Sequence, residues 1–381
     1  MVSKKSLQIA VVSPRYGLVG GSEFFAMELT ERLASNPDFS IHVFANQWRS
    51  VSDNITFHRF PIIKFPRFLR PLSTAVSVNR KIAQQQFDII HTHERVLLAD
   101  IYSIHGLPHQ YWIKNVRKKK RMSLFDYCTH WVENKMVMHP RCCHLLPVSK
   151  STRDIFCQTF NVMSKNIQVI HPGVNNQQFE KYDRQACRKE IRERLGLNLS
   201  DIVILFVGMN FEIKGLKSLM GAVAKTIQNK PEMPLKLVVI GKGNYDYYNH
   251  LASQMTIQDH VVFAGVVHDE IEKMYLASDM FSMLSEFDTF GMTVLEAMAA
   301  GLPVIVSDGV GAKDIVVHGT NGYISERNQL NQYSACIEKL LNENHRESVS
   351  KAAYQTALDH TWDHTAEQVA RIYGNYRANS L

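Results

Sequence analysis

The 381-residue chain reads as an α/β protein built from two doubly wound parallel sheets. Three observations carry that expectation. Short β-branched runs recur between longer stretches of helical period, the pattern of strand–helix–strand units. Several runs, Ile202-Val203-Ile204-Leu205-Phe206-Val207-Gly208 above all, are apolar almost throughout, as strands covered on both faces are. The length suffices for two cores, and 45% hydrophobic with 21% charged residues is ordinary for a globular chain.

Taken in order, the N-terminal Met-Val-Ser-Lys-Lys leads into an apolar run that ends at Ser13-Pro14-Arg15 without a small-residue cleavage pattern. A first strand over 7–13 is therefore expected rather than a signal peptide. Further strands are predicted at 40–45, 88–93, 101–105, 144–148 and 167–171. The pattern begins afresh at 202–208 and continues through 237–241, 261–265, 280–284 and 303–307. The polar stretch 175–198, after a His171-Pro172-Gly173-Val174 turn, marks the boundary, giving domains over 1–178 and 179–361. Residues 362–381 carry an amphipathic helical pattern. No uncharged apolar run reaches 18 residues, so no transmembrane helix is expected. Six cysteines without C-x-x-C spacing suit unpaired thiols in a reducing cytoplasm, Cys142 and Cys143 being buried thiols more simply than a metal site.

The chemistry concentrates in 285–308, S-E-F-D-T-F-G-M-T-V-L-E-A-M-A-A-G-L-P-V-I-V-S-D. Asp288 precedes a Phe290-Gly291 turn, a short helix carries Glu296, and an apolar strand follows. A helix start offers unsatisfied N–H groups and a positive dipole end, both suited to phosphate. Gly291 lets the backbone approach a ligand. Glu296, about one turn in, is near enough to accept hydrogen bonds from a sugar on the same phosphate. Acid, glycine and short helix also precede buried strands that bind nothing. Lys214, in V-G-M-N-F-E-I-K-G-L, follows a predicted strand and would lie at the same sheet edge, where a lysine can neutralise a leaving diphosphate or simply be solvated. In the first half, Gly20 and Gly21 open the helix after the first strand, and His91, His93 and His105 stand at strand ends. An H-x-H metal site is less attractive, because no clear third ligand follows.

The 285–308 segment resembles the signature of glycosyltransferase family four, the group 1 retaining transferases of GT-B fold, with Glu296 as its second acid and Asp288 one methylene shorter than its usual first. That resemblance implies two Rossmann-like domains facing across a cleft, with the last helix crossing back to the first domain. It implies a sugar transfer from a nucleotide diphosphate, UDP being favoured, with retention and neither cofactor nor metal. Lys214 and the amides of Gly291, Met292 and Thr293 beside Phe290 would stabilise the leaving diphosphate, with Glu296 on the ribose and Asp288 on the sugar. Gly20 and Gly21 would face the phosphates, Val266 the base and His105 the sugar's far side, with His91 and His93 flanking. The arginine usual near the lysine is absent, Ile213 and Met209 or Asn210 standing there. The overall pattern, especially G-M-N-F-E-I-K-G-L, is similar to lipopolysaccharide core transferases and implies a saccharide acceptor, lipid-linked or phosphorylated. Two other classes stay open: a nucleotide-sugar epimerase or hydrolase on the same fold, and a non-catalytic nucleotide-sugar-binding protein.

A net charge of +7 favours anionic partners. It gathers in Lys114, Arg117, Lys118, Lys119, Lys120 and Arg121, and in Lys64, Arg67 and Arg70 among aromatics. Such clusters are either solvated faces or contacts to an anionic inner leaflet, which would make the protein peripheral on the cytoplasmic membrane. No nucleic-acid-binding signature accompanies them.

Overall fold

A computed structural model describes residues 6–18, 20–162, 165–267 and 269–378. The chain forms two compact units, Met1–Gly173 with Trp362–Leu381, and Val174–Thr361. The first change of unit thus falls at Gly173–Val174, ahead of position 178.

In the first unit the strands are β1 (Leu7–Val12), β2 (Arg15–Tyr16), β3 (Phe39–Phe44), β4 (Gln47–Trp48), β5 (Ile55–His58), β6 (Ile89–Thr92), β7 (Ile101–Ile104), β8 (His144–Pro147) and β9 (Asn166–Ile167). Seven form one sheet in the order β5-β3-β1-β6-β7-β8-β9, while β2 and β4 pair separately. All pairings within the seven-stranded sheet are parallel. β1 is central, and Ile9, Ala10, Val11 and Val12 are buried because both faces are covered. On one face Ala10 and Val12 join Val78 and Ile82 of α2 (Leu69–Ile82), Met136 and Val137 of α4 (Leu124–Met138), and Phe156 of α5 (Lys150–Thr159). Ser123 and Asp126 start α4 with a reciprocal capping box, closing two donors that a helix start leaves open. Before it, α3 (His109–Tyr111) runs into a π-helical turn at Trp112–Val116. Elsewhere in this unit, α1 (Gly21–Ala34) packs against the last helix of the chain.

The second unit contains β10 (Ile202–Gly208), β11 (Leu235–Gly241), β12 (Val261–Gly265), β13 (Met280–Met283), β14 (Val304–Ser307) and β15 (Gly322–Ser325). Their order, β12-β11-β10-β13-β14-β15, reverses between β10 and β13. Every pairing is parallel, the expected doubly wound arrangement. The helices are α6 (Gln177–Glu180), α7 (Arg184–Arg194), α8 (Leu216–Asn229), α9 (Tyr245–Gln254), α10 (Ile271–Leu276), α11 (Met292–Ala299), α12 (Leu330–Leu341) and α13 (Glu343–Asp359). Leu219 and Val223 of α8 and Ile337 and Leu340 of α12 share a core with Ile204, Phe206 and Leu237. α7 is tied down by the buried Arg192, which donates to Ala277 O at 3.0 Å, Asp201 O at 2.6 Å and the Asp279 carboxylate at 2.7 Å. A buried guanidinium is tolerable only with such saturation. The closing helix α14 (Trp362–Ala378) returns to the first unit and lies on α1.

Differences from expectation concern short edge strands. β5 and β15 lie at sheet margins and carry only four residues each, too few to show a period. The strand expected at 167–171 shrinks to β9, although the Gln168 and Ile170 amides still donate to Leu145 and Pro147 carbonyls at 3.1 and 2.9 Å.

Candidate functional site

In a doubly wound sheet the crevice lies beyond the carboxyl ends of the strands where the order reverses. In the second unit this is the end of β10 and of β13, and both carry predicted residues. The chain leaves β10 at Gly208 and turns tightly, with Lys214 N–H donating to Asn210 O at 3.0 Å. Gly215 then starts α8 in the left-handed region, at φ +77°, with its α-carbon against the Leu284 carbonyl beyond β13. That close approach brings Lys214 to Asp288, and the ammonium donates to the carboxylate Oδ2. Both side chains are mostly shielded.

The Asp288 backbone is clamped from both directions. Its N–H donates to Gly309 O and its carbonyl accepts from Gly311 N–H, both at 3.0 Å. Phe290, buried, accepts from the Ala312 N–H. Gly291 follows at φ +92° and caps α11, and a side chain there would meet Met283 and Val310. The first-turn amides of Met292 and Thr293 lack intrahelical acceptors by construction. One turn on, the Glu296 carboxylate accepts from the Tyr275 hydroxyl at 2.9 Å. Burial raises the Glu296 pKa; the Tyr275 hydrogen bond opposes this, and the neighbouring Glu272 charge adds to it. Tyr275 itself is pushed well above the usual phenol range, by burial first and then by Glu296. Val266, just beyond β12, is exposed. Tyr275 is a partner that spacing alone did not assign, since it reaches Glu296 from a separate helix.

The first unit has its own reversal between β1 and β6. Val19 of the glycine loop lies outside the described residues. Gly20 caps α1 at φ +147°, its carbonyl accepting from Phe24 N–H at 3.0 Å, while the Glu23 carboxylate folds over its α-carbon. His91 is wholly buried, and its ring nitrogens meet Tyr373 at 2.6 Å and Ser103 at 2.8 Å. His93 Nδ1 lies 2.9 Å from His105 Nε2, the two rings stacked. His105 packs edge-on against Phe25, which itself packs on Trp362. Burial lowers His91 and His105 to about 3, and His93 well below its usual value. Burial keeps these imidazoles neutral, and one hydrogen bond joins His93 to His105 while His91 only stacks on His93. The structure thus draws His93 and His105 together and places His91 in the core.

Among the described residues, no group of three His, Cys, Asp or Glu side chains is placed to hold a metal ion. All six cysteines are free, with Cys142 buried and Cys143 half-buried. No helix is long and apolar enough to cross a membrane among the same residues.

Two family models match the chain: "Glycosyl transferases group 1" over residues 187–356 and "Glycosyltransferase Family 4" over 19–178. The chain belongs to the group 1 glycosyltransferases. It is 26% identical to an uncharacterized glycosyltransferase of Methanocaldococcus jannaschii, covering 96% of this chain and 98% of the relative. It is 26% identical to a D-inositol 3-phosphate glycosyltransferase of Stackebrandtia nassauensis, over 95% and 88%. Among solved structures, WaaG, a glycosyltransferase involved in lipopolysaccharide biosynthesis, superposes with a TM-score of 0.79 at 17% identity, over 96% and 99%. Anabaena Alr3699/HepE in complex with UDP-glucose gives 0.73 at 17%, over 97% and 100%. These two likenesses establish the fold, which is GT-B.

Proposed function

We propose that this group 1 glycosyltransferase moves a sugar from a nucleotide diphosphate donor to a saccharide acceptor, with retention at the anomeric carbon and without a metal. The observation that carries the reading is the Lys214–Asp288 pair set beside the Gly291 turn, with Glu296 one turn along α11. A lysine and amides at a helix start neutralise the charge that grows on a departing diphosphate. In this reading Asp288 holds sugar hydroxyls, Glu296 the ribose, and Val266 lies by the base. The incoming hydroxyl loses its proton to the leaving phosphate on the same face, so no protein nucleophile is required. Gly20, Gly21 and His105 are assigned to phosphate and sugar recognition from the first unit. UDP is favoured as donor nucleotide, supported by the UDP-glucose bound to the structurally similar HepE. The inositol-phosphate relative supports a phosphorylated acceptor, and likeness to WaaG a role in the cell envelope, with the exposed Lys114 to Arg121 stretch as a contact to an anionic membrane surface.

Thermal shift with UDP-, GDP- and ADP-sugars tests this, with Lys214→Ala and Glu296→Ala alongside. One nucleotide should raise the melting temperature of the wild type and lose that effect in both variants. No shift with any nucleotide overturns the donor site; release of free sugar without transfer to an acceptor turns the reading to hydrolysis.

A further inference from the structure

The first unit carries a cavity of about 300 Å³ that the donor chemistry does not use. It opens where its sheet order reverses: Ser13, Pro14 and Arg15 follow β1, and His93, Glu94 and Arg95 follow β6. That is the position at which an open parallel sheet offers a ligand site. Arg67, just ahead of α2, and Arg70, in its first turn, complete the cationic side. Arg95 is already paired, its guanidinium 2.8 Å from the buried Glu133 carboxylate. Arg15, Arg67 and Arg70 form no salt bridge among the described residues, so three guanidiniums line one small cavity without a carboxylate partner. His93 adds a second, independent sign. It is 8% exposed and lines the cavity, and its Nε2 is buried without a hydrogen-bond partner among the described residues. Buried polar atoms are seldom left unsatisfied, and a ligand group is one way to complete them.

We infer that this cavity binds the phosphate group of a phosphorylated sugar or polyol, the acceptor of the transfer. Guanidiniums recognise phosphate through paired N–H donors. Glu23 and Glu94, which line the same space, cannot face an anion and suit instead the hydroxyls that a sugar brings. A volume at the lower end of ligand pockets fits a monosaccharide-sized group rather than an acyl chain. This deepens the transferase reading and rests on it for the word acceptor. It also gives Arg67 and Arg70 a task other than the membrane surface.

The test titrates inorganic phosphate into the full chain, followed by phosphorus NMR, with UDP-glucose binding measured on the same samples. Phosphate should bind saturably, weaken about tenfold in Arg67→Gln/Arg70→Gln and in Arg15→Gln, and persist in Lys214→Ala. UDP-glucose should show the reverse, kept in the arginine variants and lost in Lys214→Ala. Phosphate binding that survives the arginine changes, or that fails while UDP-glucose still binds, overturns this site and leaves the donor reading standing. Failure of UDP-glucose with phosphate still bound in the cavity overturns the donor reading alone. Displacement of phosphate by glucose 6-phosphate assigns the site to soluble sugar phosphates, and by phosphatidic acid vesicles to a lipid headgroup; either upholds phosphate recognition.

Discussion

Gly215→Ala separates the geometry of the donor site from its chemistry, because it touches no ligand-binding atom. Gly215 sits at φ +77°, and a Cβ built there falls 2.0 Å from the Leu284 carbonyl oxygen and 2.5 Å from its carbon. Gly319, in the same unit, has φ +81° and nothing within 4 Å of its Cβ. Gly319→Ala therefore measures the cost of the left-handed backbone alone, about 1–2 kcal/mol, partly offset by the stiffer unfolded chain. Gly215→Ala adds an overlap with backbone that only a shift of α8 or of the Leu284 peptide relieves, a further cost of about 1–3 kcal/mol. A total near 3 kcal/mol lowers the melting temperature of a unit this size by roughly 6–12 °C. Lys214 is the preceding residue, so the same shift draws its ammonium from Asp288. Calorimetric melting of the three proteins, paired with UDP-glucose titration, reads both effects. If Gly215→Ala melts with Gly319→Ala and binds nucleotide like the wild type, the packing of this loop does not set the lysine.

Two titrations follow from burial. Glu296 has a raised carboxyl pKa, so its folded form holds a proton that the unfolded chain has already lost as pH rises. The ionised group then costs stability above that value, and Glu296→Gln should melt higher than wild type at neutral pH while binding UDP-sugar more weakly. Wild-type affinity should fall as pH drops through the raised pKa and stay flat in the variant; parallel profiles would show that Glu296 does not accept from the nucleotide. His91 moves the other way, from 6.5 to about 3. Its neutral form contributes stability that is complete above pH 6.5 and is lost as pH falls toward 3, at up to about 1.4 kcal/mol per pH unit. Urea unfolding of the first unit at pH 7.5 and 5 should show a loss to which His93 and His105 also contribute, and of which His91→Gln removes about 2 kcal/mol; a pH slope unchanged in the variant would place the acid sensitivity elsewhere.

The central strands were legible because burial on both faces writes itself as an unbroken apolar run, as in 202–208 and 7–12. β5 and β15 were not, since an edge strand of four residues has no period to detect. The loops of Lys214, Asp288 and Glu296 stood out by residue type beside strand ends. Their partners did not, because Tyr275 approaches Glu296 from α10, and Gly309 and Gly311 grip Asp288 from the loop after β14. The arginines of the first-unit cavity come from stretches some fifty and eighty residues apart, near 15, 67 and 95. Arg15 and Arg95 do follow predicted strand ends, so strand order, once known, picks them out. Nothing local in the sequence announces that His93 and His105 share a proton, for only the pairing of β6 with β7 makes them neighbours.

The return of α14 fixes the order in which this molecule can be finished at the ribosome. The second unit, residues 174–361, is synthesised whole before Trp362 and Tyr373 exist to cover Phe25 and His91. The first unit, begun first, is therefore completed last, and it waits with an uncovered aromatic face for as long as its insert takes to be made. A chain released at residue 361 should carry a folded second half and a first half that chaperones still recognise.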